Sequence, residues 1–512
     1  MTRSPGAIDL DGLSVLRAAH DSPDRIAVVV GDEVFTFADL AGPVARAARA
    51  LSARGLAPGA RVALSAQNRF ETLITIYALL ELGVPFVPVH PRLTPGEAAV
   101  ILEDAGPALV LDEAMIAQIV EPAITRKVEP AQPDELFAGL GVPDPRGVLA
   151  ILYTSGTTGR PKGAILPRSA FVASAAASAV NLGWREDDRW LLCMPLCHTG
   201  GLSIVTRCLL ARRCVILGGD RTNSPGSPIK RAPRFDPAGV LDTITRARAT
   251  ILSVVPTMLK ALLAEDTEGV LGRLRVVLVG GAAAPSSLLE ACARRGVRAL
   301  TTYGLTETCS QVTAQRPLPE GGARPDSAPT ARLGAGAPLP GIAIEVRGED
   351  GSPCFPGLPG RIHVSGPTLM AGYLHGPPLE GWFDTGDVGM LDAAGELHIH
   401  TRRTDLIVTG GENVYPAEVE QTIEACEGVT RALVFGVPDE VWGQIVAAAI
   451  VLDPKKPASP AAILHAVTVE LAPHKRPRRV CFPDSLPVVT ADKVDRREGA
   501  RRFASDLVGW GQ

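Results

Sequence analysis

YTSGTTGRPKG, residues 153–163, is the stretch from which the rest of the chain is read. It follows the apolar run Val148-Leu149-Ala150-Ile151-Leu152, which predicts a short buried strand, and precedes an Ala-rich helical pattern that begins at Ser169. Between them lie Ser155, Gly156, Thr157, Thr158 and Gly159, then Lys162. Glycines let backbone N–H groups approach an anion closely, hydroxyls add donors without bulk, and a lysine supplies the compensating charge. The order therefore points to phosphate handling. It is not a Walker A loop, which has glycine directly before its lysine and Ser or Thr after it; here Pro161 and Gly163 stand there. A surface turn is the plain alternative, but turn punctuation does not require this density of hydroxyls ahead of a lysine.

Outward from this loop, strand and helix patterns alternate. Residues 26–37 predict two strands around a Gly-Asp turn, residues 38–54 a helix closed by Gly55, and 61–65 a strand. Residues 69–82 predict a helix with Asn68 at its cap and Gly83 past its end, followed by a strand at 86–89, a helix at 94–104 and a strand at 108–111. Residues 121–146 are Pro-rich and read as a connector. After the loop, strands are expected at 190–194, 214–217, 251–255, 276–279 and 299–302, with helices between them. That rhythm implies crossover units on parallel sheets. The polar, Pro-rich insert 220–237 receives no fold. From about residue 330 short alternating runs predict a small β-rich subdomain extending to about 400, and from 404 a separate C-terminal α/β domain is expected.

At 512 residues the chain is too long for one compact core, and its 46% hydrophobic and 21% charged content is that of a globular protein. A net charge of −4 gives no reason to expect nucleic acid as a partner. The local basic cluster His474-Lys475-Arg476-Pro477-Arg478-Arg479 reads either as a solvated face or as a seat for an anionic ligand such as the phosphates of coenzyme A. Nine cysteines without a spaced framework suggest reduced, mostly buried thiols. No export signal and no membrane span are read from the sequence, so a cytoplasmic location is expected. No residue pattern fixes the oligomeric state, and a homodimer is left open.

The loop resembles the signature of the adenylate-forming superfamily: acyl-CoA synthetases, luciferases and peptide-synthetase adenylation domains. Further stretches similar to that superfamily's motifs follow in order: TYGLTE at 302–307, TGD at 385–387, RRTDLIVTGGENVYPAEVE at 402–420 and LPVVTADK at 486–493. The resemblance covers nearly the whole chain. It implies an α/β fold with a large N-terminal AMP-binding domain, residues 1–403, built of parallel-sheet subdomains and the β-rich one. A small mobile C-terminal α/β domain, residues 404–512, would follow. It also implies ATP, Mg²⁺ and coenzyme A, with a small carboxylic acid as substrate. The acid attacks the α-phosphate of ATP, pyrophosphate leaves, and the thiol of coenzyme A displaces AMP from the acyl-adenylate.

Carried over residue by residue, the resemblance makes Thr154, Ser155, Gly156, Thr157, Thr158, Gly159 and Lys162 the phosphate cradle. Tyr303 would stack on adenine, Thr306 contact the α-phosphate and Glu307 bind Mg²⁺. Asp387 would accept from the ribose hydroxyls with Arg402 assisting, and His198 would stand beside the acyl pocket. The run 279–285 (VGGAAAP) would flank that pocket with small side chains. Gly410 and Gly411 would let pantetheine pass, and Lys493 would neutralise charge during adenylation. Outside the resemblance, each has an ordinary reading: Thr306-Glu307 a capped helix start, Asp387 a loop aspartate, His198 a structural histidine. Two positions depart from the family's pattern. Thr404 stands in the hinge at 403–405 where Asp or Lys is usual, and Asp492 replaces the glycine before Lys493, which leads to the expectation that adenylation is slower than thiolation.

Within the superfamily, residues 277–311 together with GGENVYPAEVE are most similar to the o-succinylbenzoate–CoA ligases, although the insert near Ser224 and Asp492 depart from them. A ligase of specialised metabolism for another bulky or aromatic acid, an enzyme loading a carrier protein, and a non-catalytic protein retaining the fold are the alternatives.

Overall fold

The computed structural model describes residues 12–56, 59–124, 143–154, 161–218, 235–282, 284–317, 334–401, 406–454, 458–490, 493–494 and 496–510. The chain divides into two units: Met1–Pro91 with Ala105–Leu152 and Gly163–His400, and Arg92–Asp104 with Tyr153–Lys162 and Thr401–Gln512.

In the first unit the expected hairpin forms from Ile26–Val30 and Glu33–Thr36, turning at Gly31 with φ 59°. Thr36 and Asp39 then close a capping box that starts the helix Phe37–Ser52, satisfying two N–H groups that a helix start otherwise leaves unpaired. The hairpin lies at one edge of a nine-stranded sheet. Its order continues through Cys214–Leu217, Arg189–Leu192, Ile251–Val254, Val276–Val279, Ala299–Leu305, Ser310–Ala314 and Ala337–Pro338. From Ile26–Val30 to Ala299–Leu305 every neighbouring pair is parallel, as the alternation with helices requires. The centre is apolar: Trp190, Leu191, Ile251, Leu252 and Val277 are fully buried.

The second sheet runs Gly372–Tyr373, Lys162–Pro167, Val148–Thr154, Phe86–Val89, Val62–Ser65, Leu109–Leu111. Here two expectations are corrected. The chain does not pass from the glycine-rich loop directly into a helix, because Lys162–Pro167 forms a strand first, burying Gly163, Ala164 and Leu166 before Pro167 turns the backbone into the helix Arg168–Leu182. And Asn68 does not cap the helix Phe70–Leu82; Arg69 occupies that position. The Asn68 amide instead donates to the Met194 carbonyl (3.0 Å) and accepts from the Leu196 N–H (3.0 Å), pairing backbone groups of a loop that is otherwise short of partners. The helix ends at Gly83, as expected, in the left-handed conformation with φ 63°.

A helix that the sequence reading did not foresee, Glu113–Ile124, reaches into the supposed connector through Pro122. The insert is followed by the helix Pro237–Arg246, and most of it, 219–234, lies outside the described residues. The expected β-rich segment is a four-stranded sheet in the order Ala343–Arg347, Gly360–Ser365, Phe383–Leu391 and Leu397–Thr401, the first three strands pairing antiparallel.

The second unit centres on the long hairpin Val429–Asp439 with Gly443–Leu452, flanked by Ile407–Thr409 and Glu412–Val414 on one side and by Arg479–Cys481 and Val508–Gly509 on the other. Helices Pro416–Glu424 and Pro460–Glu470 supply Val419, Ile423, Ile463 and Val467 to its core. A two-stranded ladder joins Val488–Thr490 to Lys493–Val494. Lys475, expected on a solvated or ligand-binding face, is buried instead: its Nζ meets Glu97 Oε1 at 2.8 Å and Glu418 Oε1 at 2.6 Å. Burial alone would pull Lys475 down, and the two carboxylates override it and hold it above its usual value. Residues 402–405, with the Thr404 hinge position, and Asp492 lie outside the described residues. All nine cysteines are free thiols, six of them buried. Among the described residues no helix is long and apolar enough to cross a membrane.

Candidate active site

The strand Ala299–Leu305 carries Tyr303 and leads directly into a single 3₁₀ turn, Thr306–Thr308, that carries Thr306 and Glu307. The chain then reverses through Cys309 (φ 51°) and Ser310 (φ 87°) into the antiparallel strand Ser310–Ala314. This hairpin fixes the residue at 304. A Cβ on Gly304 would lie 1.8 Å from the Ser310 carbonyl oxygen, so no side chain fits. Thr308 Oγ1 accepts from the Leu305 N–H at 3.0 Å and donates within the same turn, which holds Thr306 and Glu307 in place.

Two hydrogen bonds tie this turn to distant segments of the first unit. The Tyr303 hydroxyl donates to Asp387 Oδ2 at 2.8 Å, and the Tyr373 hydroxyl donates to Glu307 Oε1 at 2.7 Å. Asp387 sits in the strand Phe383–Leu391, beside Thr385, whose hydroxyl accepts from the Asp387 N–H and donates to the Ile362 carbonyl. Met370 N–H donates to the Glu307 carbonyl, so the segment 370–373 grips Glu307 through backbone and side chain together. Tyr303, Glu307 and Asp387, which lie up to 84 residues apart, are therefore brought to one place, and all three are buried. Tyr373 was not singled out by the sequence reading. Its only sequence signal is a lone Gly-Tyr after an apolar run.

His198 is the residue before the helix Thr199–Ala211, in an extended conformation with φ −110°. The preceding turn is tight: His198 N–H donates to the Pro195 carbonyl, and a Cβ on Gly201 would stand 2.2 Å from that same oxygen. One turn further along the helix, Ser203 Oγ donates to Ser310 Oγ at 3.3 Å, which links the His198 helix to the end of the Thr306–Glu307 turn. Arg207, one turn beyond Ser203 and 3% exposed, was also missed. It donates to Ser174 Oγ at 3.3 Å and lies 5.8 Å from the Trp190 ring centroid, but its Nε is buried without a hydrogen-bond partner and no carboxylate faces it among the described residues. Burial pulls this guanidinium down to about 10, leaving it charged at neutral pH.

Gly280 and Gly281 follow the strand Val276–Val279; a Cβ on Gly280 would be 2.6 Å from Thr302 Oγ1, so this glycine lets the strand end pass beside the Tyr303 strand. Thr154 closes the strand Val148–Thr154 and Lys162 opens Lys162–Pro167. Between them Ser155, Gly156, Thr157, Thr158 and Gly159 lie outside the described residues, as does Arg402. Lys493 begins the strand Lys493–Val494, opposite Thr490.

In the second unit Gly410 and Gly411 form the turn between Ile407–Thr409 and Glu412–Val414, both with positive φ. Gly410 N–H donates to the Trp442 carbonyl, and a Cβ there would meet the Trp442 ring at 2.8 Å. The Arg478 guanidinium lies 4.2 Å from the Trp442 ring centroid. Trp442, Arg478, Arg479, Asp439 and Leu507 line a cleft of about 530 Å³. The basic cluster is thus divided by the fold: Lys475 is buried against carboxylates, Arg476 donates to the Leu471 and Thr468 carbonyls, and Arg478 and Arg479 line the cleft.

Residues 15–374 match the AMP-binding enzyme family, and residues 418–493 match its C-terminal domain. The chain belongs to the AMP-binding enzymes. It is 36% identical to 2-succinylbenzoate–CoA ligase of Bacillus licheniformis, over 94% of this chain and 97% of that one, and 38% identical to the protein of the same name from Geobacillus kaustophilus, over 93% and 95%. Among solved structures it is similar to a double mutant of o-succinylbenzoate CoA synthetase from Bacillus subtilis bound with a product analogue, OSB-NCoA. That match has a TM-score of 0.79 and 34% identity and covers 95% of this chain and 97% of that one. It is also similar to the amide bond synthetase McbA from Marinactinospora thermotolerans, with a TM-score of 0.80, 29% identity and coverage of 96% and 99%. This AMP-binding enzyme has the α/β fold and the motif order expected of an ATP-dependent, AMP-forming acid–thiol ligase.

Proposed function

We propose that the protein joins 2-succinylbenzoate to coenzyme A in two steps on one nucleotide site. In the first, a carboxylate oxygen of the acid attacks the α-phosphorus of ATP, the bond to the bridging oxygen breaks, and pyrophosphate leaves. In the second, the coenzyme A thiolate attacks the acyl carbon and AMP leaves with the electron pair of the broken C–O bond. The observation that carries this reading is the meeting of the Tyr303–Glu307 turn with Asp387. Asp387 is a carboxylate suited to ribose hydroxyls, and the Tyr303 hydroxyl fixes its orientation. Thr306 is proposed to contact the α-phosphate, with the cradle of Thr154, Ser155, Gly156, Thr157, Thr158, Gly159 and Lys162 holding the departing phosphates, and Arg402 and Lys493 adding positive charge.

Glu307 fits a Mg²⁺ ligand: it is a hard oxygen donor, and with Oε1 taken by the Tyr373 hydroxyl it is oriented to present Oε2. Bound there, Mg²⁺ would neutralise charge on the phosphates. Gly410, Gly411, Trp442 and the Arg478–Arg479 cleft support coenzyme A as acceptor, since the aromatic and guanidinium groups suit its adenine and phosphates. Arg207 supports the choice of acid. 2-Succinylbenzoate carries a second carboxylate that survives the reaction, and a buried guanidinium that meets no carboxylate among the described residues is a fitting seat for it. His198, at the start of the same helix, is proposed to border the acyl group. This chemistry is assigned to the cytoplasm, where both cosubstrates are made available.

A panel of acids incubated with ATP and, separately, coenzyme A, a carrier protein or an amine, with products identified by mass spectrometry, tests the proposal. Preferential formation of 2-succinylbenzoyl-CoA with AMP is expected. Amide formation with no thioester would move the protein to the chemistry of the amide bond synthetase it resembles.

A further inference from the structure

Three side chains with soft or borderline metal-binding atoms come together where the nine-stranded and six-stranded sheets of the first unit deliver their loops. His90 follows the strand Phe86–Val89, and Cys197 and His198 close the turn ahead of the helix Thr199–Ala211. The imidazole rings of His90 and His198 have centroids 5.7 Å apart, tilted by 55°. One donor atom from each of His90, Cys197 and His198 lies within 4.8 Å of the other two. We infer that these three residues form a binding site for a thiophilic divalent cation, Zn²⁺ being the ion whose ligand chemistry they match.

The inference rests on ligand type, geometry and support. One thiolate and two imidazoles form a set that suits Zn²⁺ and disfavours Mg²⁺ or Ca²⁺, which take oxygen. Zinc bonds of about 2.0–2.1 Å to nitrogen and 2.3 Å to sulfur place one sulfur and two nitrogens of a tetrahedral set roughly 3.3–3.6 Å apart. The donors therefore need to close by up to about 1.5 Å, within reach of side-chain torsions for the two half-buried imidazoles. The turn that presents Cys197 and His198 is held from both ends. Asn68 pairs with Met194 and Leu196, and the absence of a side chain at Gly201 lets the Pro195 carbonyl pack onto the first helical turn. Cys197 is buried while both histidines are partly exposed, so the ligand set has a dry side and an open one.

Three protein ligands leave a fourth coordination position. With one thiolate and two neutral imidazoles the metal centre keeps one positive charge, and it lies at the N-terminal end of a 13-residue helix, where negative charge is favoured. The fourth position is thereby suited to water or a carboxylate oxygen. Binding releases the Cys197 thiol proton to solvent. Loading the site would take His198 out of the acyl pocket proposed above and make acid binding depend on the metal; the binding itself is independent of which acid the enzyme uses.

The full-length protein, stripped of metal, is titrated with Co²⁺ and then with Zn²⁺. One equivalent of Co²⁺ is expected to bind with a thiolate-to-cobalt charge-transfer band and the intense d–d bands of four-coordination, all displaced by Zn²⁺. Cys197→Ser is expected to abolish the charge-transfer band, and His90→Gln to weaken binding at least tenfold. Two variants are used so that misfolding of one leaves the other decisive, and the zinc-loaded wild type is to show one sulfur and two imidazole nitrogens by X-ray absorption. 2-Succinylbenzoate, or benzoate as a simpler carboxylate, is expected to shift the d–d bands. A wild-type spectrum without a thiolate band, a band that survives in folded Cys197→Ser, unchanged affinity in folded His90→Gln, or a zinc shell without sulfur would overturn the site; unmoved d–d bands would overturn its open position.

Discussion

Arg207 carries the most specific consequence at the scale of single residues. Its guanidinium is buried against Trp190 and Ser174 with Nε unpaired, so a ligand carboxylate there would be desolvated and directly paired. Arg207→Met should lower kcat/KM for 2-succinylbenzoate by about 30- to 5,000-fold, the range of about 2–5 kcal/mol for losing one partner of a buried ion pair. It should leave an acid with a single carboxylate nearly unaffected, and the melting temperature of the free enzyme should stay level or rise, because a buried charge is replaced by an apolar chain. Equal losses for both acids would remove Arg207 from the acid site. Tyr303→Phe should loosen Asp387 by deleting one hydrogen bond to a carboxylate, a loss of about 1.5–3 kcal/mol, read as a raised KM for ATP.

The residues legible in the sequence were those with a chemistry visible within a few positions. Tyr303 and Glu307, which the structure brings beside Asp387 and Tyr373, belong to a short motif, and Gly410 announces its turn by a neighbouring glycine. Tyr373 and Arg207 were hidden because their meaning comes from partners 66 and 33 residues away, a tyrosine on Glu307 and a guanidinium on Ser174. Lys475 misled for the same reason. A run of basic residues reads as one face, yet Lys475 turns inward to Glu97 and Glu418 while Arg478 and Arg479 line the cleft.

At the scale of elements, the strands of the nine-stranded sheet are held in step by Asp188, whose buried carboxylate accepts from Arg275 through two nitrogens, from Thr250 Oγ1 and from the Arg185 N–H. Asp188→Ala leaves Arg275 without its carboxylate and should cost about 3–5 kcal/mol in urea unfolding of the first unit. Gly304→Ala drives a Cβ into the Ser310 backbone and should cost at least about 1–3 kcal/mol, with activity falling further than stability because the hairpin positions Thr306 and Glu307. Elements were legible where a repeat was clean: the hairpin at Gly31, the helix ending at Gly83 and the strand Phe86–Val89 stand where the pattern puts them. Lys162–Pro167 was not. Its six residues lie between a glycine loop and a proline, and only pairing with neighbouring strands distinguishes them from loop.

For the molecule as a whole, pH acts on the second unit through the Glu97–Lys475–Glu418 group. Burial pushes Glu97 up, but Lys475 overrides it and holds it below its usual value, so Glu97 contributes stability above the unfolded carboxylate range that is lost as pH falls through its folded value. Lys475, held above its usual value, contributes stability below the unfolded lysine range that is lost as pH rises through its folded value. Burial leaves Glu418 raised despite Lys475, which offsets part of the acid-side loss. Glu97→Gln should therefore flatten the acid limb of second-unit stability, measured by urea unfolding from about pH 6 down to about pH 2, and should also weaken the alkaline limb, because one of the two carboxylates that hold Lys475 up is gone.

The central claim is that an acyl-adenylate forms on the Tyr303–Glu307–Asp387 site before any thiol is involved. Exchange of labelled pyrophosphate into ATP, measured with 2-succinylbenzoate and without coenzyme A, tests it most directly. The account predicts acid-dependent exchange that Glu307→Gln abolishes and that remains slower than thioester formation from a presynthesised adenylate. Thioester formation at full rate with no acid-dependent exchange, or with release of ADP in place of AMP, would contradict it.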